Sequence, residues 1–162
     1  MVLSGQDLFF TQGSNIEQLN LSGITLSFAQ DLFELNNLDS LTHLLLNDIE
    51  FSDEFVNQFD VQQNIVDILR NNRRITHLGL NGVLNFSDQF ANDSFQLFDA
   101  ILPRVVSLEL SDIGLEFLPF PLDQYTQLEV LDLSDNPLVL SGQDLFFRPD
   151  SNIEQLLSLI HI

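Results

Sequence analysis

Cysteine is absent from the 162 residues. That removes disulfides, thiolate nucleophiles and cysteine-ligated zinc. It leaves the compartment open, because many exported proteins also lack cysteine. Lysine is absent too: the basic side chains are 5 arginines against 24 acidic residues, for a formal net charge of −19. The chain is rich in Asn, Ile and Phe, which AT-rich codons encode. Lysine codons are AT-rich as well, so base composition does not account for the gap. Phosphate backbones and anionic membranes both need a positive partner, so neither nucleic acid nor a membrane surface is expected. No run of about 18 apolar residues occurs, so no spanning helix is predicted. The opening MVLSGQDLFF lacks the basic and apolar regions of a signal peptide. There is no phosphate loop, dinucleotide-binding glycine pattern, nucleophile elbow, HExxH or Asp-Gly calcium loop. His43 and His77 are the only credible bases. Catalytic groups are therefore few, and neither an enzyme activity nor a cofactor or metal is expected.

Apolar residues make up 44% of the chain, which excludes a disordered polymer and allows one domain with a core. Their arrangement is periodic. The chain reads IEQLNLSGITL at 16–26, LTHLLLNDIEF at 41–51, ITHLGLNGVLN at 75–85, VVSLELSDIGL at 105–115 and LEVLDLSDNPL at 128–138, and a sixth line starts with IEQL at 153. Each line is apolar at positions 1, 4 and 6 and usually at 11. The central LxLx alternates, so it reads as a short strand buried on one face. One such strand cannot bury its apolar side alone. Stacking the lines at about 4.8 Å builds a parallel sheet over a continuous core.

The spaces between lines must carry the chain back across the outside. In residues 60–71, Val61, Ile65, Ile68 and Leu69 fall on one helical face, and Asp60 with Gln63 has the spacing of a capping box. In residues 93–103, Phe95, Phe98, Ile101 and Leu102 repeat that spacing before Pro103. The shorter returns are expected to be turns or single-turn helices, with phenylalanines filling the space between layers. Arg70, Arg73 and Arg74 at the end of the first helix suit its dipole.

The pattern LxxLxLxxNxL, met in full by Leu128, Leu131, Leu133, Asn136 and Leu138, resembles that of leucine-rich repeats. Leu115-Glu116-Phe117-Leu118-Pro119 is similar to the Leu-Pro step of short repeats in that family. The resemblance covers residues 1–156. It implies an α/β fold: a leucine-rich repeat solenoid, with a curved parallel sheet and mixed helical and irregular returns. It also implies a protein-recognition scaffold without chemistry of its own. One departure is systematic. Family position 9 is usually Asn, which bonds neighbouring turns, but here it is Ile24, Ile49, Val83 and Ile113. The loops after these strands are therefore expected to be held mainly by packing.

Two features concern the ends. VLSGQDLFF and SNIEQL frame residues 2–19 and return at 139–156, with only the three residues between them changed. This is the same part of the repeat met twice, as a block duplication in a longer array would leave it. Met1 then falls opposite Leu138, the last position of a line. The closing Leu157–Ile162 reads LSLIHI, one translation of the transposon mosaic end used to tag sequencing libraries. These six residues are expected to be adapter, and the chain a fragment of a longer array.

The candidate site is the open face of the sheet, presented by positions 2, 3, 5, 7 and 8. Its early part is neutral and hydrogen-bonding: Gln18, Asn20, Thr42, Leu45, Asn47, Thr76, Gly79 and Asn81. His43 and His77, both following threonine, should stand about 5 Å apart on adjacent strands. Repetition alone would produce such a pair. The later part is acidic: Glu109 beside Asp132, Asp112 beside Asp135 and Glu129 at the edge, with Asp48 earlier. Repulsion between such neighbours costs stability, which gives weight to a basic protein or peptide partner. Structural spacer repeats of a larger surface protein, or a targeting module joined to a catalytic domain elsewhere, are the alternative readings. The triplets at Asn20, Asn85 and Asn92 fit the glycosylation pattern, but an Asn-rich chain produces these by chance.

Overall fold

A computed structural model of the chain describes residues 2–3, 14–26, 34–52, 61–83, 101, 104–115, 125–138 and 155–157. The expected helix at 93–103 lies outside these residues apart from the helical Ile101. So do Asp60 of the Asp60–Gln63 capping pair, residues 116–119, the sequons at Asn85 and Asn92, and 158–162.

The described part is α/β with parallel sheets. Short strands run at β1 (Val2–Leu3), β2 (Gln18–Asn20), β3 (Thr25–Leu26), β4 (His43–Leu45), β5 (Glu50–Phe51), β6 (His77–Gly79), β7 (Ser107–Glu109), β8 (Val130–Asp132) and β9 (Gln155–Leu157). One helix, α1, spans Val61–Asn71, and a 3₁₀ turn spans Glu34–Asn37. Six strands form one sheet in the order β2-β4-β6-β7-β8-β9, and β1-β3-β5 form a smaller one. Every pair is parallel, with position 3 opposite position 3 of the next line, as in His43 opposite His77. The middle residues Leu44, Leu78, Leu108 and Leu131 point into the core, and the residues beside them remain at least partly exposed except Gly79. Period-two alternation produces this split directly.

The core is the apolar column of each line. Leu41, Leu44, Leu46, Ile75, Leu78, Leu80, Val105, Leu108, Leu110, Leu128, Leu131 and Leu133 are all buried. Each fully buried side chain of this size contributes about 1.5–3 kcal/mol. From α1, Ile65, Ile68 and Leu69 join them, as their spacing predicts, together with Val66. The 3₁₀ turn contributes Leu35 and is followed by buried Leu38. Buried Asn72 ties it to the helix, its Nδ2 donating to the carbonyls of Leu35 (3.2 Å) and Ile68 (2.8 Å).

The loops after the strands share one geometry. Position 8 is left-handed in all five lines: Gly23 (φ 70°), Asp48 (54°), Gly82 (61°), Asp112 (52°) and Asp135 (57°). Glycine enters this region freely, and Asp is among the few other residues that do so at low cost. The turn lets the ladder continue past the strand. The N–H groups of Gly23, Asp48, Gly82 and Asp112 donate to the carbonyls of Asn47, Asn81, Ser111 and Ser134, each in the following line. Position 9 then turns inward, and Ile24, Ile49, Val83 and Ile113 are buried. Packing does hold these loops, and backbone bonds hold them as well.

Asn136 is the polar exception. Its Oδ1 accepts from the N–H of Ile113 (3.1 Å) and Leu115 (2.9 Å). Its Nδ2 donates to the carbonyls of Leu110 (2.6 Å), Leu133 (3.0 Å) and Ser134 (3.2 Å). One buried amide thus joins two successive lines.

At the beginning of the chain, Val2 pairs with Thr25 and Leu3 with Leu26. These are positions 10 and 11, so β1 lies two residues away from the alignment that sets Met1 opposite Leu138. A two-residue displacement preserves which side chains face which way.

Candidate functional site

The register arranges the candidate residues in rows across the large sheet. The position 3 row runs Gln18, His43, His77, Ser107, Val130 and Gln155. The position 5 row runs Asn20, Leu45, Gly79, Glu109, Asp132 and Leu157. Asn47 and Asn81 follow at position 7, Asp48, Asp112 and Asp135 at position 8, and Glu129 stands exposed at position 2.

The centre of the face is a hydrogen-bonded network built around a missing side chain. Gly79 sits between Leu45 and Glu109 in its row. A Cβ there would lie 2.6 Å from Asn47 Oδ1, 2.9 Å from Asn47 Nδ2 and 2.9 Å from Leu45 Cδ2. The space is therefore occupied by neighbours leaning across it. Asn47 reaches over β6 and donates from Nδ2 to Glu109 Oε2 at 2.9 Å. Asn81 Nδ2 donates to the same oxygen at 3.4 Å. The Oδ1 atoms of both amides accept backbone N–H groups, Asn47 from Asn81 at 2.9 Å and Asn81 from Ser111 at 2.7 Å. Each bond to the ionised carboxylate is of the stronger, charge-assisted kind.

This arrangement changes the meaning of the acidic pair. Glu109 and Asp132 are register partners, but each carboxylate has donors of its own. Glu109 is held by the two asparagines. Asp132 Oδ1 accepts from Ser134 N (2.9 Å) and Ser134 Oγ (2.6 Å). At position 8, Asp48, Asp112 and Asp135 are exposed and sit in the left-handed turn. The backbone supplies a reason for aspartate at that column apart from any ligand. The Asp48 carboxylate also lies against the place where a Cβ on Gly82 would project.

The two histidines are closer than strand spacing alone requires. Their rings stack with centroids 3.9 Å apart and planes 12° from parallel. Thr42 Oγ1 donates to the Glu17 carbonyl at 2.9 Å and lies 2.8 Å from His43 Nδ1. Thr76 Oγ1 stands likewise 2.9 Å from His77 Nδ1 and 3.4 Å from the Thr42 carbonyl. The His77 pKa is lowered from 6.5, first by burial and then by His43, with Glu129 opposing. Stacked planes do not converge: an ion in the plane of one ring cannot lie in the plane of the other. Among the described residues no three His, Asp or Glu side chains are grouped to hold a metal.

Two features escape a reading by pattern alone. The network across Gly79 is one; its only sequence signal is a glycine at position 5 between an amide-bearing line and an acidic one. Arg104 is the other. Its Nη2 donates to the Leu69 carbonyl at 2.7 Å and its Nε to the Ile75 carbonyl at 2.9 Å, so it covers the C-terminus of α1. Burial, and then Arg73, holds its pKa below the ordinary arginine value. Arg70, expected in that role, forms an exposed ion pair with Asp67 at 4.0 Å; such pairs contribute little.

Comparison of the chain with protein-family models, with curated proteins and with solved structures finds no match to any of them.

Proposed function

We propose that the chain is part of a leucine-rich repeat solenoid and serves as a non-catalytic recognition scaffold. Its open sheet face takes a protein or peptide partner with basic side chains. The observation that supports this reading is the network joining Asn47, Asn81 and Glu109 across Gly79. Side chains fixed before binding lose less conformational freedom on binding, which favours affinity. The carboxylates of Glu109, Asp132 and Glu129 give the face charged acceptors. Arginine, with five donors and a permanent charge, complements such a surface. The net charge of −19 steers a basic partner toward it and raises its on-rate about 10–1,000-fold at low salt.

The test is selection from an unbiased peptide-display library on the immobilised chain. The expected ligands are enriched in arginine and bind less tightly at high salt. Glu109→Gln and Asp132→Asn should weaken them, while Asp67→Asn on α1 should not. Ligands without basic residues, or binding indifferent to the two face substitutions, would reject the acidic-face reading. Failure to select any ligand would favour a spacer role.

A further inference from the structure

The stacked histidines each keep one outer aromatic face. Their rings lie across adjacent strands, with centroids 3.9 Å apart and planes 12° from parallel. Stacking of that kind sets the ring normals along the row. The outer face of His43 therefore looks toward Gln18 on β2, and that of His77 toward Ser107 on β7. These neighbours differ in reach. Gln18 is long enough to lie over the His43 ring. Ser107 is the smallest side chain in the row and stops short of His77. Val130 comes next. The backbones of β6 and β8 are two strand spacings apart, about 9.6 Å. The row thus has room above Ser107 for one planar group between the imidazole and Val130.

The surroundings of this space favour a cation. Along the strand direction Glu109 follows Ser107 by two residues, on the same face. On the other side Glu129 precedes Val130 and stands exposed. Both amides that bind Glu109 meet its Oε2, which leaves Oε1 for a ligand. The Glu129 charge reaches the His77 ring, whose pKa is lowered first by burial and then by His43, and opposes that lowering. With a pKa below 6.5 the ring is uncharged at neutral pH and does not repel a cation. The ring is also held before binding, by the stack on one face and by Thr76 Oγ1 at 2.9 Å from Nδ1. A group fixed in advance loses less freedom on binding.

We propose that this space is an arginine subsite: a guanidinium of the partner stacks on the outer face of His77, over Ser107, with N–H donors reaching Glu109 on one side and Glu129 on the other. Guanidinium is planar, stacks on aromatic faces and carries donors in its plane, whereas an ammonium is a compact, strongly hydrated point charge. The subsite rests on the open face being the recognition surface, and adds which of the two basic side chains that surface selects.

The probes are two fluorescein-labelled peptides of equal charge, hexa-arginine and hexa-lysine. Each is titrated with the chain at neutral pH and low salt and followed by fluorescence anisotropy. Hexa-arginine should bind more tightly, and stacking should supply about two- to fivefold of the preference. His77→Leu keeps an apolar side chain without the ring face; it should remove that factor and leave hexa-lysine unchanged. His77→Phe should retain the factor. Ser107→Leu, on a different strand, fills the space and should remove it too. Far-UV circular dichroism checks that each variant is folded, and either leucine variant decides the matter if the other is not. Glu109→Gln should weaken both peptides. Equal binding of the two peptides by the unmodified chain would overturn the subsite. So would a preference that survives both leucine variants while Glu109→Gln still weakens both peptides, and the acidic-face reading would then stand. If neither peptide binds, or Glu109→Gln weakens neither, the subsite and the acidic-face reading fail together.

Discussion

Gly79→Ala is the substitution whose effect the face geometry determines most closely. Alanine normally strengthens a strand relative to glycine, by about 0.5–1 kcal/mol. Here the added Cβ would stand 2.6 Å from Asn47 Oδ1 and 2.9 Å from both Asn47 Nδ2 and Leu45 Cδ2. The leucine methyl can turn aside. The amide is pinned at both ends, by Asn81 N–H and by Glu109, and must give up one or both bonds. A neutral bond contributes about 0.5–1.5 kcal/mol and one to a charged group about 1.5–3. Water replaces part of this on a half-exposed face, and the strand preference offsets another part. The expected net cost is about 1–3 kcal/mol, or several degrees in Tm for a chain of this size. Urea unfolding followed by far-UV circular dichroism would measure it. The informative step is a double-mutant cycle with Asn47→Ala. Once the amide is gone, Gly79→Ala should be neutral or stabilising, a coupling of at least about 1 kcal/mol. An equal cost in both backgrounds would refute the reasoning.

Other substitutions probe the remaining devices. Asn136→Leu keeps the number of side-chain heavy atoms but leaves the N–H groups of Ile113 and Leu115 and the Leu110 carbonyl without the amide; unfolding should be easier by at least about 3 kcal/mol, and a loss under 1 would mean the amide is dispensable. Asp112→Gly should be neutral or mildly stabilising, and Asp112→Val should cost about 1–2 kcal/mol because of the left-handed backbone; equal effects would deny the turn. For His77, whose folded pKa lies below 6.5, the unfolded chain binds the proton more readily. Its contribution to stability is complete above pH 6.5 and declines as pH falls through the folded value. A ring titration by NMR should place its midpoint under 6.5, and a midpoint above that value would contradict the stacked, partly buried pair.

Much of the fold was legible because the pattern is redundant. Leucine at positions 4 and 6 of five lines predicts an inward-facing strand residue followed by a buried loop residue, and Leu44, Leu78 and Leu108 occupy the first of these places. The helical spacing of Ile65, Ile68 and Leu69 identifies the buried face of α1, while Val66 lies at its margin and falls outside a narrow stripe. The left-handed turn at Gly23, Asp48, Gly82, Asp112 and Asp135 was not read from the pattern, although Gly and Asp are residues such a position admits. Viewed only as charge, its aspartates suggest a binding strip. The face network was not legible. Register places Glu109 beside Asp132, but the carboxylate turns the other way, into the space left by Gly79, where two amides meet it. Which neighbour a long side chain chooses depends on which space is empty, and a periodic pattern does not encode that. Arg104 is similar: nothing in its local sequence says that its guanidinium reaches back to Leu69 and Ile75.

The central claim is that the open face of the large sheet is the recognition surface. The most direct test is to map amide chemical-shift changes on the labelled chain as a selected basic peptide is added. The account predicts changes concentrated at Gln18–Asn20, His43–Asn47, His77–Asn81, Ser107–Ser111 and Val130–Ser134, with α1 unaffected. Changes centred on α1, with these rows silent, would contradict it.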